Sequence, residues 1–126
     1  MDKFIQDSIR TESSSFNKLI DVNGKEYNLQ RLIHAQMGMQ TEVAEFTDAI
    51  KKSLYYGKTL DVVNLKEELG DLMWYMAIAM DELGTDFTKE SDRVINKLKV
   101  RYPEKFTNEN AEHRDLVSER AVLESK

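Results

Sequence analysis

From Leu29 onward, apolar residues recur at three- and four-residue steps. Leu29, Leu32, Ile33, Met37, Val43 or Ala44, Phe46 or Thr47, Ile50 and Leu54 share one face of a 3.6-residue period, which predicts a long helix. Asn28 stands where an N-cap belongs, Lys51 and Lys52 fall in the last turns, where cations suit the helix dipole, and Gly57 is the expected stop. A second helix is predicted from about Leu60 or Asp61 to Leu83, with Val62, Leu65, Leu69, Leu72, Met73, Met76, Ala77, Met80 and Leu83 as its apolar face and Gly84 as its end. Gly70 inside it costs up to about 1 kcal/mol in helix propensity, and close approach of another backbone is the expected compensation. Thr85 or Asp86 then caps a third helix that runs to about Tyr102, where Pro103 stops it. Val94, Ile95, Leu98 and Tyr102 line its inner side, and Lys89, Arg93, Lys97, Lys99 and Arg101 make it basic.

Either side of this middle the pattern weakens. Phe4, Ile5 and Ile9 suggest a short helix or a loose arm, and Ser13-Ser14-Ser15 a linker. Asn23-Gly24 marks a turn, read as a bare turn in preference to an Ile20-to-Tyr27 hairpin because an isolated two-stranded hairpin is marginal. Leu116, Val117, Val122 and Leu123 form a weak stripe in the last segment, a C-terminal helix or a frayed tail. The expected architecture is therefore all-α: a helical bundle with two long antiparallel helices, a third basic helix and a C-terminal helix. Its segments are an arm and turn over 1–27, a helical domain over 28–106 and a helix or tail over 107–126.

Composition narrows the class. The chain has 126 residues, one domain's worth, with a single proline and five glycines, so long helices are permitted nearly throughout. Without cysteine there is neither a disulfide framework nor a thiolate metal site. No run reaches the roughly 18 apolar residues of a membrane span, and Met1-Asp2-Lys3-Phe4 lacks the start of a signal peptide, so a cytoplasmic protein with no membrane partner is expected. A net charge of -5 argues against a nucleic-acid partner and implies that any polyphosphate ligand needs metal ions to bridge it to the protein.

The chemistry sits in two carboxylate pairs, Glu42-x-x-Glu45 and Glu68-x-x-Asp71. At that spacing both members of a pair lie on one helix face, with Cβ atoms roughly 5–6 Å apart. One such pair usually means a solvated face. Two, bordered by Val43, Phe46, Ala49 and Ile50 and by Leu65, Leu69, Leu72, Met73 and Met76, and joined by a connection that folds one helix back on the other, bring four carboxylates into one cleft. That crowding is unfavourable without a cation. Oxygen-only donors suit a hard cation such as Mg²⁺, with Mn²⁺ as a substitute, because neither His34 nor His113 follows these glutamates at di-iron spacing. Gly57-Lys58-Thr59 is not a phosphate loop: position 52 is Lys where a Gly is needed, and a helix precedes it instead of a strand. Lys58 reads first as a solvated loop lysine and second as a lone phosphate contact. Met73, Trp74, Tyr75 and Met76 read as core ahead of a nucleobase platform, and His34 as a packing residue.

These pairs, with the string Glu67-Glu68-Leu69-Gly70-Asp71-Leu72, then Asn96-Lys97 and Arg101-Tyr102-Pro103-Glu104-Lys105-Phe106, resemble the MazG-type all-α nucleotide pyrophosphohydrolases over about residues 30 to 106. The resemblance implies Mg²⁺-dependent cleavage of a nucleoside triphosphate between its α and β phosphates, giving monophosphate and pyrophosphate, in the service of nucleotide-pool control. It implies that Glu42, Glu45, Glu68 and Asp71 hold the metal and form the catalytic set, and that Asn96, Lys97 and Arg101 face the phosphates. It also implies a homodimer or homotetramer with a four-helix-type core. Which carboxylate, Glu67 included, takes a proton from water stays open. Enzymes of the dUTP- or phosphoribosyl-ATP-hydrolysing type are alternatives within the class, and a non-catalytic helical dimerisation adaptor is the alternative outside it.

Overall fold

A helical hairpin organises the computed structural model, which describes residues 2–125. Its arms are α2 (Leu29–Tyr56) and α3 (Val62–Leu83). Each starts on a side-chain cap, Asn28 accepting from the Arg31 amide at 3.1 Å and Asp61 from the Asn64 amide at 3.0 Å. Each ends where a glycine takes the left-handed conformation, Gly57 at φ 67° and Gly84 at φ 70°. The arms run antiparallel. At one end Arg31 reaches Asp81 at 2.6 Å and Glu82 at 2.8 Å, in the middle Gly38 faces Tyr75, and further along Glu42 meets Glu68 and Asp71.

Close packing within this hairpin rests on Gly38, over which the Tyr75 ring lies, and not on Gly70. A Cβ built on Gly38 would lie 2.2 Å from Cδ1 of Tyr75, whereas one built on Gly70 meets nothing within 4 Å. The expectation that Gly70 admits a neighbouring backbone is thus corrected for this chain: a regular apolar period identifies a face but not the register of its partner. Ala35 and Gly38 are the buried members of α2, and Tyr75 and Met76 are half-buried against it. Met73 and Trp74, read from the sequence as core, point outward and are 52% and 73% exposed. His34 packs edge-on against Tyr75, ring centres 5.8 Å apart.

Ahead of the hairpin lie α1 (Lys3–Ile9), capped by Asp2, and two short strands, β1 (Leu19–Ile20) and β2 (Glu26–Tyr27), paired antiparallel with Leu19 opposite Tyr27. The bare turn expected at Asn23-Gly24 is therefore a hairpin. Asp21 explains it: its Oδ1 accepts from the Asn23 and Lys25 amides and its Oδ2 from the Tyr27 hydroxyl, cross-links that an unaided two-stranded ribbon lacks.

Beyond the hairpin, α4 (Phe87–Arg101) starts on Asp86, and α5 (Asn108–Glu112) and α6 (Leu116–Glu124) follow. α4 packs chiefly against α6, not against the two carboxylate-bearing helices as its inner stripe suggested. Glu119, only 3% exposed, fixes that contact. It accepts from Arg101 Nε and Nη2, both at 2.8 Å, and from Arg114 Nη2 at 2.7 Å. These guanidiniums hold the Glu119 carboxyl well below the usual carboxylate range. Among the described residues no helix is long and apolar enough to cross a membrane.

Two outcomes follow from this packing. Gly38→Ala gains up to about 1 kcal/mol of helix propensity but forces the Tyr75 ring aside, an overpacking cost of about 1–3 kcal/mol, so it lowers stability in chemical denaturation. Gly70→Ala raises stability by about 0.5–1 kcal/mol, and a loss there would mean that a second molecule fills the space over Gly70. For Glu119 the sign follows from its depressed folded value: its stabilisation is present above the unfolded value of 4.5 and is lost as pH falls toward the lower folded one. The melting temperature of Glu119→Gln should lie below wild type at pH 7, and the gap should narrow below pH 4.5. A gap that stays constant down to pH 3 would show that the ion pairs contribute nothing.

Candidate metal centre

The antiparallel register of α2 and α3 brings the two carboxylate pairs face to face. Glu42, Glu68 and Asp71 each offer an oxygen, and these oxygens lie within 4.8 Å of one another. Glu68 is the deepest, 5% exposed, with Glu42 half-buried and Asp71 exposed. Glu45, one turn beyond Glu42, is exposed and lines an open cleft of 440 Å³ together with Glu68.

Mutual repulsion is visible in the titration of the α2 pair. Burial, followed by the charge of Glu45 and a hydrogen bond to Glu68, pushes the Glu42 carboxyl above its ordinary range. Glu45 is pushed up first by a hydrogen bond that its neutral form shares with Glu68, then by the charge of Glu68 and by partial burial, with Asp71 and Glu67 adding to it. A carboxyl raised on folding weakens the fold progressively as pH rises above its ordinary value of 4.5, so at neutral pH these two groups oppose folding while no cation is bound.

Glu68 carries the observation that fits a metal. Its Oε1 accepts from Asn64 Nδ2 at 2.7 Å, one turn back on α3, while its Oε2 is buried and, with the neighbouring carboxyls ionised, has no hydrogen-bond donor. An unpartnered buried acceptor costs about 1–3 kcal/mol, more when charged, and such atoms are rare in folded proteins. Three converging carboxylates with one buried oxygen unused form the all-oxygen donor set of a hard divalent cation.

Of the residues singled out from the sequence, Glu42, Glu68 and Asp71 are brought together and Glu45 stands beside them. Asn96, Lys97 and Arg101 are on α4 and are not in this group. Arg101 is held by Glu119, with its Nη1 outside that pair of bonds. Sequence reasoning missed the rest of the cleft wall: Asp48, Ala49, Lys52, Thr59, Asp61 and Asn64 line it, with Lys58 at the connection. One signal was present, since Asn64 precedes Glu68 by four residues and so lies on the same helix face.

A family model described as the MazG nucleotide pyrophosphohydrolase domain matches residues 30–106. No curated protein and no solved structure matches the chain. The matched span contains α2 from its second residue on and the whole of α3 and α4, and it is over half of the sequence. The chain belongs to the MazG nucleotide pyrophosphohydrolase family.

Proposed function

We propose that this protein hydrolyses nucleoside triphosphates between the α and β phosphates, releasing a monophosphate and pyrophosphate, with Mg²⁺ held by Glu42, Glu68 and Asp71. The single observation that carries the reading is the unpartnered, buried Oε2 of Glu68, whose carboxylate converges with those of Glu42 and Asp71. A hard divalent cation bound there supplies charge neutralisation for a polyphosphate and a water of lowered pKa. The rest is done by the chain. Asn64 fixes the Glu68 carboxylate through Oε1, leaving Oε2 without a partner of its own. Glu45, adjacent to the compact set and open to the cleft, has a raised affinity for protons and takes one from the attacking water. As that water's oxygen bonds to phosphorus, the bridging bond between the α and β phosphates breaks and pyrophosphate leaves.

We further propose that the working form is a homodimer or homotetramer. The chain exposes 10580 Å², against about 6,900 Å² for a compact monomer of 14.7 kDa by the usual scaling. Much of the excess is apolar and lies on the outer faces of the hairpin, with Val43, Leu54, Leu69 and Met73 all at least half exposed. A second copy is the occupant that matches it, since an excess of that size is what an obligate interface covers. Such an assembly would also give Asn96, Lys97 and the free Nη1 of Arg101 a route to the phosphates, because α4 does not lie across the hairpin of its own chain.

Three measurements test this. A panel of ribo- and deoxynucleoside triphosphates incubated with Mg²⁺, with products separated by ³¹P NMR, should yield monophosphate and pyrophosphate; diphosphate and inorganic phosphate would contradict the proposal. On the best substrate, Glu45→Gln should lower kcat by about 10²- to 10⁴-fold with little change in the Mg²⁺ concentration required, whereas Asp71→Asn should raise that requirement. Light scattering at micromolar concentration should give at least twice the 14.7 kDa chain mass, and a fully active particle of one chain mass would end the oligomer proposal.

A further inference from the structure

We infer that Lys58, at the turn between α2 and α3, is a binding residue for the pyrophosphate portion of the substrate, an inference that rests on the proposed function. The cleft lined by Glu45 and Glu68 is also lined by Lys58, Thr59 and Asp61 of this connection and by Lys52 near the end of α2. A polyphosphate that reaches the carboxylate cluster through this opening passes these side chains.

The charges in the wall are unequally engaged. Lys52 is paired with Asp48 at 2.6 Å, so those two cancel locally. Asp61 caps α3 and accepts from the Asn64 amide, so the first turn of that helix already has its acceptor. Lys58 has no carboxylate within ion-pair distance among the described residues, which makes it the one lining cation left to meet an incoming anion. Its backbone is fixed: Gly57 turns left-handed, and the Lys58 amide donates to the Lys52 carbonyl at 3.3 Å. The Lys58 side chain therefore leaves from a set point on the cleft rim.

The alternative phosphate cations lie elsewhere in the chain, Arg101 bound side-on to Glu119 and Lys97 on a helix that packs against α6. Lys58 instead shares a cleft with Glu45 and Glu68, and Thr59 lines the same cleft. A lysine ammonium suits this position as a compact charge with rotatable donors, able to follow pyrophosphate as it departs. Within Gly57-Lys58-Thr59 the phosphate contact thus comes from the lysine in a helix-to-helix turn, with no strand and no glycine-rich cradle before it.

The test is calorimetric titration of inorganic pyrophosphate, in the presence of Mg²⁺, into wild type, Lys58→Ala, Lys58→Arg and Lys66→Ala, the last an exposed lysine outside the cleft wall. Lys58→Ala should weaken binding about tenfold, the loss of one charge-assisted contact, while Lys58→Arg keeps most of the affinity and Lys66→Ala all of it. Melting curves confirm that each variant is folded. Equal affinity of Lys58→Ala and wild type, an equal loss in Lys66→Ala, or no binding by wild type overturns the inference. Failure of the wild type to hydrolyse any triphosphate overturns the functional reading instead, because pyrophosphate binding is read without turnover.

Discussion

Four carboxylates where two helices touch are the constraint on which the rest of this structure depends. Hairpin packing needs the faces of α2 and α3 to approach, and the register that lets Gly38 accommodate Tyr75 also sets Glu42 against Glu68 and Asp71. The raised carboxyls of Glu42 and Glu45 and the unpartnered Oε2 of Glu68 record what that juxtaposition costs. On the proposed function, a divalent cation with a polyphosphate attached is the ligand that offsets this cost.

At the opposite end of the charge scale, Glu119 collects two guanidiniums and docks α6 on α4. The molecule thus has one carboxylate with two cations and four carboxylates with no cation among them. The first has depressed titration and satisfied oxygens, the second raised carboxyls at Glu42 and Glu45 and an idle oxygen on Glu68, a contrast that the proposed function reads as a structural ion cluster against a ligand site. It also accounts for the split of the chain into a hairpin and an α4–α6 unit, each with its own cohesive contact.

Much of this was legible in the sequence. Helix starts were readable because Asn28, Asp61 and Asp86 are short polar side chains standing before apolar periods, and all three accept from an amide of the first turn. The carboxylate set was readable because three-residue spacing fixes a helix face. Register was not, which is why the packing glycine was sought at Gly70 and found at Gly38: periodicity of one helix says nothing about which residue of the next lies opposite. Glu119 escaped notice because a lone glutamate in a polar segment reads as solvated, and only the fold shows that Arg101 and Arg114 converge on it. The β1–β2 pairing was missed for a similar reason, its stability coming from the side chain of Asp21 and not from strand propensity.

The central claim is that the idle oxygen of Glu68 is a metal ligand. The competing account of the same geometry is a proton shared between Glu45 and Glu68, which would also relieve the crowding. Anomalous diffraction from crystals soaked in Mn²⁺ at neutral pH distinguishes them. The account predicts an ion about 2 Å from Glu68 Oε2, with Glu42 and Asp71 oxygens completing the protein's share of its ligands. An Mn²⁺-free cluster, with the Glu45 carboxyl within hydrogen-bond distance of Oε2, would contradict it.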